Sequence, residues 1–180
     1  MKQFVNSSLI VRVFYVLTLV FSLSIQAQEE FSDIDILDDV SAVVVNKKMF
    51  EMIGNVKVES EDPETQKYLS LINNLDYLKV YTSDSALSSK KMAKSFISHV
   101  NSTGGLEELM RVQDKDEVVK IYAKQNQQSQ EINQMVMFVN NKNSHSTSII
   151  VLKGVFKLED LDILTKKLNI PSSEHLSKSK

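Results

Sequence analysis

Cysteine is absent from the 180 residues, glycine occurs four times and proline twice. Without a thiol there is no disulfide framework, no thiolate nucleophile, no Cys-ligated zinc, no haem attachment and no lipobox cysteine to carry a lipid. Gly54, Gly104, Gly105 and Gly154 are too few and too scattered for a phosphate-binding loop or a dinucleotide fingerprint. Arginine is as scarce, with Arg12 and Arg111 alone. A nucleic-acid-binding face presents clustered basic residues, so that class of partner is disfavoured.

The N-terminus carries the three parts of an export signal. Lys2 supplies early positive charge, and Arg12 adds a second just before the uncharged run Val13 to Ile25. Ala27 offers the small residue that signal peptidase accepts, ahead of Gln28, Glu29 and Glu30. The run has 13 residues, whereas a membrane-spanning helix takes roughly 20. Length therefore favours a cleaved signal over residues 1–27 against an uncleaved anchor, and leaves no membrane span in the mature chain. Cleavage removes Lys2 and Arg12, leaving 19 basic and 23 acidic residues, a net charge of −4. The remaining 153 residues suffice for one domain of ordinary size that rests on its own core.

Residues 28–39 are acidic, with Phe31, Ile34 and Leu37 at i, i+3 spacing; a solvated lead-in with a short helix fits. A calcium loop would need a glycine and a terminal bidentate glutamate that are missing. The main domain is expected over 40–170 and a frayed tail over 171–180. Ser41 to Val45 is a β-branched strand, and Asn46 caps a helix over Lys47 to Ile53. Pro63 opens a helix over Glu64 to Leu75, in which Tyr68, Leu71, Ile72 and Leu75 form one apolar stripe. Tyr77 to Thr82 alternates as a half-buried strand, and Leu87 to Val100 is helical with Met92, Phe96 and Val100 in line.

The second half alternates. Leu109 to Gln113, Val118 to Lys124, Gln134 to Val139 and Ser148 to Phe156 are successive strands on short polar connections, which favours an antiparallel meander. Met135, Met137 and Val139 face one way and Val136 and Phe138 the other, so this strand belongs inside the sheet. Leu158 to Leu168 is expected to close the fold as a helix. The expected class is α+β: an antiparallel sheet of five to six strands with helices packed mainly on one face.

Four stretches carry a family resemblance. They are Val44 to Phe50, Leu75 to Asp84, Leu106 to Val112 continuing to Val119 to Tyr122, and Leu152 to Leu161. In order and spacing they resemble domain of unknown function 4252, a family of small exported proteins described mainly from Bacteroidota. The resemblance implies export and one α+β domain, and brings no activity or site residues. The loops at Asp114 to Glu117 and Gln125 to Gln130 lack a glycine expected there.

No reactive constellation is legible. His99, His145 and His175 lie 46 and 30 residues apart, too far for two imidazoles on one helix face or strand to share a metal. His99 near a helix C-terminus suits the dipole. Ser88 precedes Lys91 by three, a serine–lysine spacing without the partner motifs of penicillin-recognising enzymes. Asp38–Asp39, Glu107–Glu108 and Glu159–Asp160 are adjacent, and adjacent side chains diverge. Glu159, Asp160 and Asp162 suit a helix N-terminus. Arg111 is placed for a cross-strand carboxylate; Gly154 marks a bulge or a close backbone approach; Met135 and Met137 fill core.

The sequence therefore assigns no catalytic, cofactor-binding or metal-binding residue and implies no cofactor. It favours a soluble periplasmic or extracellular protein that binds a protein or small molecule in the envelope, by a sheet edge or an apolar groove. A hydrolase whose carboxylates converge only in the fold, and a structural subunit of a surface assembly, are the alternatives.

Overall fold

The computed structural model describes residues 30–55, 62–126, 128–129 and 131–160. The expected export signal (1–27), the expected tail (171–180) and residues 56–61 lie outside these residues. Of the closing helix, Leu158–Asp160 is a single 3-10 turn and the rest lies outside the described residues.

A short helix α1 (Ser32–Asp35) precedes β1 (Ser41–Asn46). Asn46 ends β1 and caps α2 (Lys47–Gly54), its side-chain oxygen accepting from the Met49 amide at 3.1 Å. Asp62 caps α3 (Pro63–Asn73) in the same way, with Pro63 in the first turn, where its missing N–H costs nothing. Leu75, expected to end that helix, instead starts β2 (Leu75–Ser83). Ser85 caps α4 (Ala86–Ser102). Then β3 (Glu107–Gln113), β4 (Glu117–Gln125), β5 (Ile132–Asn141) and β6 (Ser146–Phe156) run as the expected meander.

All six strands form one antiparallel sheet in the order β1-β2-β6-β5-β4-β3. The last strand closes it by docking on β2, with Leu78 opposite Leu152 and Val80 opposite Ile150. The loops without glycine use side-chain acceptors instead. Asp114 accepts from the amides of Asp116 and Glu117 at 2.8 and 2.7 Å, and Asn126 accepts from Gln128 at 3.0 Å. Asx turns of this kind help to reverse the chain, and from Asp114 to Glu117 no residue has a positive φ.

The α+β class and the antiparallel sheet stand; the expectation of helices mainly on one face does not. Phe50 of α2 and Leu71 and Ile72 of α3 pack against Leu78, Ile121, Met135, Met137, Ile150 and Leu152. Met92 and Phe96 of α4, with Phe31 and Ile34, pack against Tyr81, Val136, Phe138, Ile149 and Val151. These sets alternate along the strands and so occupy opposite faces. The apolar character of β5 on both sides already required two covered faces. For the same reason β2 is an interior strand rather than a half-buried one, with Tyr81 fully buried and Lys79 nearly so.

The acidic lead-in is not solvated along its length. Phe31 and Ile34 are core residues, and the compact unit begins at Phe31 rather than at residue 40. Ser95 of α4 donates to Asp33 at 2.7 Å, Lys79 of β2 donates to Asp35 at 2.7 Å, and the Ser88 hydroxyl of α4 donates to Asp39. The hydroxyl of Ser83 donates to the Asp39 carbonyl at 2.7 Å. Three carboxylates thus fasten the segment across α4 and β2.

Candidate functional site

The residues singled out in the sequence do not converge. His99 sits in the last turn of α4 with its ring 4.6 Å from that of Phe31, a packing position. His145 lies in the β5–β6 loop at a φ of 55°, and its carbonyl accepts from Ser89 at 2.9 Å. Ser88 is buried, and its hydroxyl donates a hydrogen bond to Asp39. The Ser85 and Ser88 hydroxyls beside Asp39 hold its carboxyl below the ordinary carboxylate value. Met135 and Met137 are buried core. Among the described residues, no three His, Asp or Glu side chains group to hold a metal ion, and no helix is long and apolar enough to cross a membrane.

Arg111 pairs with a carboxylate on its own strand rather than across it. Residues at i and i+3 on a strand ordinarily face opposite ways. The register of β3 shifts between Glu108 and Met110, and this bulge brings Glu108 and Arg111 to the same side. Glu108 accepts from the Arg111 guanidinium and from the Tyr122 hydroxyl of β4. Those two hydrogen bonds, Arg111 first, hold the Glu108 carboxyl below its ordinary value of 4.5. A carboxyl stabilised in its charged form adds stability that is complete above the ordinary pKa and is lost as pH falls through the lowered one. Glu108 and Arg111 are solvent-exposed, so Glu108→Gln should cost less than about 1 kcal/mol at neutral pH. It should also flatten the stability curve below about pH 4.5, which chemical denaturation across an acid series will read.

A groove of about 220 Å³ lies where α3, the end of β6 and the 3-10 turn meet, lined by Lys67, Leu71, Asn74, Val155 and Asp160. It is smaller than the roughly 300–1,000 Å³ of typical small-molecule pockets. Its acid–base pair is committed, with Lys67 bound to Asp160 at 3.0 Å.

The sheet edges differ from each other. The β3 edge carries Glu107, Glu108 and Arg111 and is bent by its bulge, features that stop another strand from adding. The β1 edge is Ser-Ala-Val-Val-Val-Asn: no charge, no proline, and six residues in unbroken register with β2. Val43 and Val44 are 59% and 54% exposed. Among the described residues no strand pairs with its outer side. The composition of this strand was legible, but its place at an edge was not, because edge position is a property of strand order.

Neither a curated protein nor a solved structure matches the chain. A family does, over residues 36–164, a span that takes in all six strands and the three longer helices. The chain belongs to that family, described as a domain of unknown function (DUF4252).

Proposed function

We propose that this chain is an exported, non-enzymatic protein that acts by binding, and that it takes its partner at the outer edge of β1. The observation that carries this reading is the contrast between the two sheet edges. One is closed to further strands by charge and a bulge; the other presents an uncharged, regular, exposed strand. An unguarded edge is a template for β-addition, in which main-chain hydrogen bonds supply affinity and alternate side chains supply selectivity. Export rests on Lys2, Arg12, the apolar run and Ala27. The destination is the periplasm or the extracellular side.

Asp39 and Glu108, one from each of two adjacent carboxylate pairs, do not suit general-acid chemistry. A general acid needs a carboxyl raised toward neutral pH. Asp39 and Glu108 are shifted the other way, and each is held by hydroxyl or guanidinium donors.

A photo-crosslinking side chain at Val44, introduced into the full chain in its host, tests the reading. A discrete adduct is expected from the envelope fraction. The same group at Ile97, equally exposed on α4, should yield none. An adduct pattern at Val44 no different from that at Ile97 would remove β1 as the binding edge.

A further inference from the structure

We infer that the occupant of the β1 edge is a second copy of this chain, paired antiparallel about Val43; this deepens the binding reading and rests on it. Residues 38–48 read Asp-Asp-Val-Ser-Ala-Val-Val-Val-Asn-Lys-Lys. An antiparallel pair centred on Val43 sets Ala42 against Val44 and Ser41 against Val45. It also brings the acidic flank, Asp38 and Asp39, to the basic flank, Lys47 and Lys48, of the other copy. The match repeats at the opposite end by the two-fold axis, as an isologous interface requires. A parallel pair would set acid against acid and base against base.

Parity supports the same register. Facing residues of an antiparallel pair share a sheet face. Centring on Val43 lets the α2–α3 face of one copy continue as the α2–α3 face of the next. A slip of one residue would turn each face over. A slip of two residues would move each flank about 7 Å along the other copy and draw the opposite charges apart.

The flanking charges are exposed, and half of them are already used. Lys47 binds Asp76 at 2.8 Å, and Asp39 holds Ser88. Asp38 and Lys48 are exposed and have no ion-pair partner among the described residues. Lys48 also stands in the first turn of α2, where the helix dipole disfavours a cation and where the turn has no acidic residue of its own, Asp76 being bound to Lys47. A carboxylate from the other copy supplies what that position lacks. Because β1 ends at Asn46, the flanks meet through side chains and not through further ladder bonds.

Sedimentation equilibrium of the full chain, as purified from its host, is the test. A reversible two-copy species is expected. Asp38→Lys and Lys48→Asp should each weaken association about tenfold, since each converts two attractive contacts into two repulsive ones. The combined Asp38→Lys/Lys48→Asp chain should return to within about threefold of the parent, and all three variants should keep the parent's melting temperature within a few degrees. A monomer at every concentration, or a combined variant as weak as its singles, would overturn self-pairing. The crosslink from Val44 separates the two readings. An adduct of twice the chain mass supports both; one with a different protein overturns self-pairing and keeps β1 as a binding edge; none removes both.

Discussion

Replacing Gly154 with alanine should lower stability by roughly 4 kcal/mol, the sum of backbone strain and steric overlap. For a chain of this size, that is a fall of about 8–16 °C in melting temperature. Gly154 has a φ of +147°, a region open to glycine and strained for other residues. A Cβ there would lie 2.4 Å from the Asn74 carbonyl oxygen and 2.7 Å from the Leu75 Cα, backbone atoms that a rotamer change does not move. That carbonyl also accepts from the Val155 amide at 2.9 Å, and Leu75 is fully buried. The registers of β6 with β2 and with β5 both shift beside this glycine, so both expectations for it, bulge and close approach, are met. Gly104→Ala is the control: nothing lies within 4 Å of its Cβ position. Thermal unfolding that ranks the two substitutions equally would refute the account.

Asp35→Ala should cost about 3 kcal/mol, because it leaves the ammonium of Lys79 buried without its anion. The Lys79 side chain is 8% exposed, with its Nζ 2.7 Å from Asp35 and 4.7 Å from the ring centre of Tyr81. Lys79→Met removes the buried charge and returns Asp35, which is 30% exposed, to water. Its cost should stay below about 1.5 kcal/mol, and the double replacement should recover most of the loss caused by Asp35→Ala. Denaturant unfolding of the three variants reads the cycle. The alkaline limb follows from the same contacts. Burial opposes the charge of Lys79, yet its bonds to Asp35 and Tyr81 outweigh that and raise its pKa above the ordinary 10.5. Burial likewise raises the Tyr81 phenol above 10.0. Groups with raised pKa values stabilise fully below their ordinary values and lose that contribution as pH climbs toward the raised ones. The parent should therefore weaken from about pH 10 upward, and Lys79→Met should weaken less over the same range.

Elements defined by nearest neighbours were readable. Asn46 before Lys47, Pro63 at a helix start and the stripe of Tyr68, Leu71 and Ile72 each announce a helix through contacts within one or two turns. The four strands of the meander alternate with period two, and each is found within two residues of its expected ends. The lead-in was harder. Asp33, Asp35 and Asp39 look like solvated charge because their partners, Ser95, Lys79 and Ser88, lie 44 to 62 residues away. One signal was available: Ser88 and Ser95 share the buried stripe of α4 with Met92 and Phe96, and a hydroxyl on such a stripe needs an acceptor.

The β1 edge shows the same division. Its uncharged run and its acidic and basic flanks are written in eleven consecutive residues. That it lies outermost, with its partner β2 saturated on the far side by β6, follows only from a strand order closed by contacts about 70 residues apart.

Residue order alone set the periods, the caps, the Asx turns and the charge pattern around Val43, since each depends on groups a few bonds or one turn apart. Which sheet face each helix covers, which carboxylate meets Lys79 and which strand is left at the rim were decided by the folded chain. Those outcomes depend on desolvation and pairing between segments that no local pattern brings together.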